Sequence, residues 1–440
     1  MSAILPELNI PLYNRGAWPV VGHLPRMINN MLDYFRAGQR ECGDFFWSNG
    51  GFGNFSLVSM HPEVFEAFKN RTTTSVHLKE RGGALLGDSV LTNDGAPHRH
   101  MRGAINPPFT PKGLTASVVG PLMADALGKR ISSWKRNEPF EILRETREVT
   151  LDIIFQMMGV PLTELHEWSV HFSDFLLTAF PIPWEFPGTP RWKGMRARAW
   201  LDDHFRPLIA ELRQNPAPGQ LLSDLVHAQD EDGVPLSETE LLDNLRILAL
   251  AGHDTTASTM AWMTITLARN PDWWGKLLEE CEGKEIPRIP GDLKQFPVAE
   301  AIFRETLRLH PPVSTDSRKT IETTTFGGRD IPAGVEITIP VIAISRHPDL
   351  YEAGDEFRPQ RWLDKREAIK AVEIIQFGGG PHFCVGYHVA WMETIQFLVA
   401  MANHVGKGGG RPVHTGAYPK ITYMPLLHPD PKTRVTITSG

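Results

Sequence analysis

Residues Ser237 to Asn270 read as one helix, and a helix that long sets the size of whatever packs round it. Ser237 can cap its start, and Glu240, three residues on, completes a reciprocal capping box. Apolar residues then continue from Leu241 to Leu267, and Asn270-Pro271 stops the run. Roughly thirty residues at about 1.5 Å each reach about 50 Å, the width of a whole domain. Asp243, Arg246, His253 and Asp254 interrupt the apolar run, so the helix belongs in a protein core and not in a bilayer. At its middle stands Ala251-Gly-His-Asp-Thr-Thr256. Glycine inside a helix costs about 1 kcal/mol against alanine. Thr255 and Thr256 are poor helix formers as well. Helix-weakening residues clustered at mid-length call for a reason other than stability.

The rest of the chain has the material to bury such a helix. Of 440 residues 41% are hydrophobic and 12 are tryptophan, enough for a large core. Length alone allows two or three domains. However, no internal repeat and no long linker divides the sequence, which points to one domain over residues 1–440. The formal net charge of −6 argues against nucleic acid, which wants a basic surface. Cys42, Cys281 and Cys384 are too few for a disulfide framework, so a reducing cytoplasm is expected. Met1 to Asn30 has neither an apolar run of about 18 residues nor the pattern of a signal peptide, so a soluble protein without a membrane anchor is expected.

Along the chain, Phe55–Ser59 reads as a strand and His61–Lys69 as a short helix. Residues 76–92 read as a loop broken at Gly82-Gly83. A helix opens at Pro97, and Thr146–Gly159 reads as a core helix. Leu165–Phe180 reads as a helix with an aromatic face, and Pro181–Pro190 as a stiff turn. Arg191–Arg213 returns as a helix, and Gly219 and Gly233 bracket a shorter one. Val298–His310 is a helix ended by Pro311-Pro312. Thr323–Phe326 and Val335–Ile339 read as strands. Ile421–Tyr423 and Arg434–Thr438 read as a closing β-hairpin. The fold class expected is mainly α with small β-sheets.

Phe377-Gly-Gly-Gly-Pro-His-Phe-Cys-Val-Gly386 sets one cysteine among glycines, just before an apolar helix. Glycines let a backbone approach something flat and bulky. Bare backbone N–H groups and a helix N-terminus favour a thiolate. With no further metal ligand beside Cys384, structural zinc, which needs four ligands, is excluded. The stretch resembles the haem-binding loop of cytochrome P450, Phe-x-x-Gly-x-Arg/His-x-Cys-x-Gly, which Phe377, Gly380, His382, Cys384 and Gly386 fill at every position.

That resemblance implies the P450 fold, one haem-containing domain with a long central helix, and haem b (iron protoporphyrin IX) with the Cys384 thiolate as axial metal ligand. It places Phe377 on the proximal side and gives the haem propionates to His98, Arg102, Arg318 and His382. His98 and His100 could instead be a metal pair, but their i, i+2 spacing on a helix points them apart. Glu305-Thr-Leu-Arg308 places an ion pair at i, i+3. Phe357-Arg-Pro-Gln-Arg361 resembles the segment whose Arg361 would complete a structural Glu–Arg–Arg network. The mid-helix cluster resembles the family's oxygen-binding kink. There Ala251 and Gly252 would leave room for O2, and Asp254 and Thr255 would relay protons.

The function so implied is a monooxygenase that inserts one oxygen atom of O2 into an apolar small molecule, by hydroxylation or epoxidation. A terpenoid, steroid or fatty-acyl substrate of secondary metabolism is expected. Its walls would be Ile247, Leu248, Ala251, Pro312, Val313 and Thr315, among which stands no Arg or Lys. Its roof would be the loop 76–92 and the aromatics Phe172, Phe175, Phe180, Trp184, Phe186 and Trp192. No flavin or nicotinamide module is legible, so a ferredoxin and an NAD(P)H-dependent ferredoxin reductase would supply electrons, the acidic ferredoxin docking near the Cys384 face. A monomer is expected. A peroxide-driven oxygenase or an isomerase of the same fold is the alternative, and the Asp254–Thr255 pair argues against it. A non-catalytic haem sensor is a third, in which a proton relay would be idle.

Overall fold

A computed structural model describes residues 9–69, 71–179, 184–364 and 369–439. Phe180 and residues 181–183 of the expected roof lie outside them. The longer helices are α1 (Leu24–Cys42), α2 (His77–Leu86), α3 (Gly95–Ile105), α4 (Val119–Ser132), α5 (Ile142–Met157) and α6 (Leu165–Phe175). They continue with α7 (Pro190–Gln214), α8 (Glu238–Arg269), α9 (Pro271–Cys281), α10 (Pro297–Leu309) and α11 (Tyr387–Val405). Among the described residues no helix is long and apolar enough to cross a membrane.

The long run is α8. Its capping box forms: Glu240 N–H donates to Ser237 Oγ at 3.3 Å, and Ser237 N–H to Glu240 Oε2 at 2.9 Å. Helix α8 is buried on nearly every side, packed against α5, α10 and α11. The main hydrophobic core forms round it and takes in Tyr13 near one end of the chain and Ile437 near the other. Beside it a second core lies under a five-stranded sheet, β1 (Phe45–Asn49), β2 (Phe55–Ser59), β8 (Glu336–Ile339), β5 (Asp316–Thr320) and β3 (Thr73–Thr74) in that order. Within this sheet the β2–β8 pair is parallel, with Leu57 opposite Ile337, and the other neighbouring strands are antiparallel. Smaller sheets use β4 (Pro139–Glu141), β6 (Thr324–Phe326), β7 (Arg329–Ile331), β9 (Pro412–Val413), β10 (Ile421–Thr422), β11 (His428–Pro429) and β12 (Arg434–Ile437).

Three local expectations change. Residues 77–86 form helix α2, bent at Gly82, where φ is −118° and ψ 17°. The tail is not one hairpin: Ile421 pairs with Pro429, whereas β12 pairs with β4 and β9. A short strand at the chain's end takes whichever free edge the fold brings to it, and β-pattern alone does not name that edge. The aromatics of α6 are core and not roof. Phe172 and Phe175 are 2% and 0% exposed, and Phe172 meets Phe155 edge-on with ring centroids 5.7 Å apart. Trp184 and Phe186 beyond them are exposed.

Candidate active site

Cys384 sits where a short 3-10 turn, Gly380–His382, runs into α11. Its N–H donates to the Phe377 carbonyl at 2.9 Å, which closes the loop on itself. Gly378 and Gly380 adopt φ of 72° and 62°, the left-handed region open to glycine. A Cβ on Gly380 would also run into the carbonyl oxygen of Phe68. Burial pushes the Cys384 thiol up, while the Gly386 N–H and the Arg102 guanidinium pull it down. The upward push wins, so the protein alone leaves the sulfur protonated, and a metal cation would ionise it. Among the described residues no group of three or more His, Cys, Asp or Glu could hold a metal ion. An iron at Cys384 therefore has to arrive in a carrier with its own ligands.

Cationic and neutral donors gather next to this loop. The ring of His98, on α3, lies 4.3 Å from that of His382. His98 Nε2 is buried and has no hydrogen-bond partner among the described residues. Burial first, then His382 and Arg102, push the His98 imidazole down to about 4. Arg102 donates through Nη1 to the Phe383 carbonyl at 2.7 Å. His382 Nε2 is 2.6 Å from Asp94 Oδ1 and 3.2 Å from Ser75 Oγ, two partners the sequence did not announce. Arg318, on β5, donates to Asp316 Oδ1 at 2.9 Å, and its guanidinium stands 4.7 Å from the centre of the Phe68 ring. His100 turns elsewhere, to Asp230 at 2.7 Å, so His98 and His100 do not form a metal pair. An unpartnered buried imidazole between two further bases suits a guest that brings carboxylates. With the glycine cradle and one buried sulfur, these residues fit haem.

Opposite chemistry needs open space, and α8 offers it. Ala251 is exposed and Leu250, Gly252, Asp254 and Thr255 are half-buried, in the middle of a helix whose other central residues are buried. Thr255 Oγ1 donates to the Ala251 carbonyl at 2.5 Å. A Cβ on Gly252 would come within 3.3 Å of Ile154 Cδ1, so this glycine lets α8 and α5 approach each other and does not itself widen the opening. Asp254 points to Arg147 of α5, which donates from Nε at 2.6 Å and from Nη2 at 3.2 Å. Burial pushes the Asp254 carboxyl up, but Arg147 outweighs it and holds the group below its ordinary value. Deep burial pushes the His253 imidazole down to about 4, and its Nδ1 lies 2.9 Å from Thr150 Oγ1.

The family model for cytochrome P450 matches residues 11–404. The chain belongs to the cytochrome P450 family. It is 38% identical to a cytochrome P450 BJ-4 homolog of Sinorhizobium fredii, over 96% of this chain and 94% of the relative. Cytochrome P450 BJ-4 of Bradyrhizobium diazoefficiens is 37% identical over the same shares. A solved structure of retinoic acid-bound cyanobacterial CYP120A1 superposes with a TM-score of 0.86 at 23% identity, covering 98% of this chain and 100% of that one. This P450 is thus a haem b protein with a cysteine thiolate axial ligand, and a monooxygenase.

Elsewhere in the P450, Glu305 and Arg308 are both 0% exposed and meet through two bonds of 2.8 Å. Glu305 Oε1 also accepts from the Arg358 N–H at 2.7 Å and from Arg361 Nε at 3.2 Å. Its Oε2 accepts from Trp362 Nε1 at 2.8 Å, a partner the sequence reading did not name. Arg308 in turn donates to the Ser345, Gly354 and Glu356 carbonyls. Of the expected pocket wall, Ala251 and Val313 are exposed and Thr315 is half-buried, while Ile247 and Leu248 are closed into the core.

Proposed function

We propose that this P450 oxidises a mid-sized, mostly apolar molecule, by hydroxylation or epoxidation, over the Ala251–Thr255 face of α8, with Val313 as a further wall. The observation that carries this is the bare Ala251 face of α8, exposed in a helix buried almost everywhere else. Such a face offers apolar contact at about 25 cal/mol per Å² and no charge to hold a polar substrate. Relatives named cyclooctatin synthase and taxane 13-alpha-hydroxylase, 29% and 27% identical, support the same class.

In this reading haem b, when bound, would supply the two-electron activation of O2. Cys384 holds the iron and donates charge to it. His98, Arg102, Arg318 and His382 would receive the propionates, Phe377 would pack beside the sulfur, and Gly380 and Gly386 would let the loop come close to the group. Ala251 presents only a methyl group to the oxygen side, and Gly252 lets α5 pack close behind it. Thr255 holds a proton at Oγ1, and Asp254 passes protons in from Arg147's side. Glu305, Arg308 and Arg361 fix the sulfur side and touch no substrate. A main core that takes in both Tyr13 and Ile437 supports reading the described residues as one domain. Family membership supports electron supply by a ferredoxin and its reductase, and we read the protein as a cytoplasmic monomer.

The test is a panel of apolar, steroid-like, terpenoid and fatty-acyl compounds beside strongly charged ones, scored by the spin shift of the haem on displacing iron-bound water. Shifts from the apolar set with micromolar affinity support the pocket. Shifts from small multiply charged compounds alone overturn it.

A further inference from the structure

The face of α8 that carries Ala251 and Thr255 also carries Ser258 and Trp262, at steps of four, three and four residues. Trp262 is fully buried, and its indole N–H has no hydrogen-bond partner among the described residues. His310, just past the end of α10, stacks on the indole, with centroids 3.9 Å apart and planes 9° apart. Tyr418 stacks on the same indole at 5.7 Å and 17°. Tyr418 Oη lies 2.8 Å from His310 Nε2, so phenol and imidazole share a hydrogen bond above one indole. Tyr418 is 49% exposed. The Arg269 guanidinium stands 5.4 Å from its ring centre, and Arg269 also donates to the Gly416 carbonyl, fixing the loop. Three rings thus lead from the helix that borders the opening to the surface.

We propose that Trp262 and Tyr418 are a one-electron outlet that carries oxidising equivalents from the haem pocket to the surface when no substrate is there to take them. This rests on the reading that the Ala251–Thr255 face borders the oxygen chemistry. Trp262 gives one electron to the oxidant that a monooxygenase must generate. Tyr418 then returns one electron to the indole, and its hydroxyl proton passes to Nε2 of His310. A soluble reductant such as a thiol restores the electron at the surface, and the proton returns from His310 to the phenoxyl oxygen. The protonation states suit this. Burial, then Arg346 and Arg308, hold the His310 imidazole well below its ordinary value, so it is neutral and able to accept. Tyr418 is half-exposed as a whole, but its hydroxyl packs against the buried His310, and that local burial, against Arg346 and Arg269, pushes the phenol up to about 12, so it keeps its proton to donate. Packing accounts for the Trp262–His310 stack, and the Tyr418 hydroxyl satisfies the buried His310 Nε2; the same bond gives the phenol an acceptor for its proton and joins the indole to a half-exposed ring.

The test uses substrate-free ferric holoenzyme mixed with hydrogen peroxide, freeze-quenched and read by electron paramagnetic resonance. A tyrosyl radical is expected in the native protein and lost in Tyr418→Phe, which keeps the ring and its stacking. Haem absorption should also bleach severalfold faster in Tyr418→Phe. Trp262→Phe should lose the same signal. A tyrosyl signal unchanged in Tyr418→Phe, or no protein radical and equal bleaching in both proteins, overturns the proposal. A normal carbonyl complex in the same samples shows that the haem reading stands even if the outlet fails.

Discussion

Arg147 grips both carboxylate oxygens of Asp254, one from Nε at 2.6 Å and the other from Nη2 at 3.2 Å. The acid beside the opening is therefore tethered, and its charge is held by a neighbouring helix. In the proposed relay Asp254 would have to loosen this grip to pass a proton, and Arg147 would govern how readily it does so.

Removing that grip has a definite sign. With Arg147 the Asp254 carboxyl sits below its ordinary value, so the pair stabilises the fold above the unfolded acid's pKa and loses that effect as pH falls through the folded one. In Arg147→Gln the burial that pushes the carboxyl up is opposed only by the weaker pull of His253 and His428. The acidic limb of the turnover profile should move to higher pH, and Asp254→Asn should slow turnover by about 10² or more. A profile that does not move in Arg147→Gln shows that the pair plays no part in proton delivery.

Thr255→Ala should still bind substrate and accept electrons but divert them to peroxide. Product formed per NAD(P)H consumed, set against peroxide released, measures this. Unchanged coupling removes Thr255 from the relay.

Cys384→Ala should lose the long-wavelength Soret band that marks a thiolate-ligated carbonyl complex. A variant that keeps both haem and band would place the ligand on another residue.

Glu305→Ala leaves the Arg308 guanidinium buried without its carboxylate, at a cost of about 3–5 kcal/mol. Little folded, haem-loaded protein is expected. The carboxyl sits below its ordinary value, chiefly through Arg308 working against burial, so this stability is present above the unfolded acid's pKa and lost as pH falls through the folded one. A fully loaded variant with an unchanged melting temperature is the contrary result.

Glu393 lies deep in α11, with Oε1 unpartnered among the described residues, and burial pushes it up to about 8. The folded state then keeps a proton that the unfolded chain releases near its ordinary 4.5. Stability therefore declines as pH rises from about 4.5 to about 8. Glu393→Gln should remove that decline, and its melting temperature should exceed the native one by more at pH 8.5 than at pH 5. An equal gap at both pH values would show that the group titrates normally.

What was legible in the sequence is what short-range chemistry encodes. Ser237 and Glu240 cap α8 across three residues, and Glu305 meets Arg308 across one turn, because helix geometry alone brings such pairs together. The glycines round Cys384 announce a tight loop for the same reason. Partners that come from different helices were not legible. Arg147 stands 107 positions from Asp254, and Asp94 stands 288 from His382. Which base meets which acid depends on how α5 lies against α8 and on how the cysteine loop lies against the start of α3, and no local pattern carries those placements. The aromatics of α6 show the same limit: a run of Phe says that a face is apolar, but only packing decided that Phe172 and Phe175 fill the core. The strand β12 likewise waited for the fold to bring β4 and β9 to its two edges.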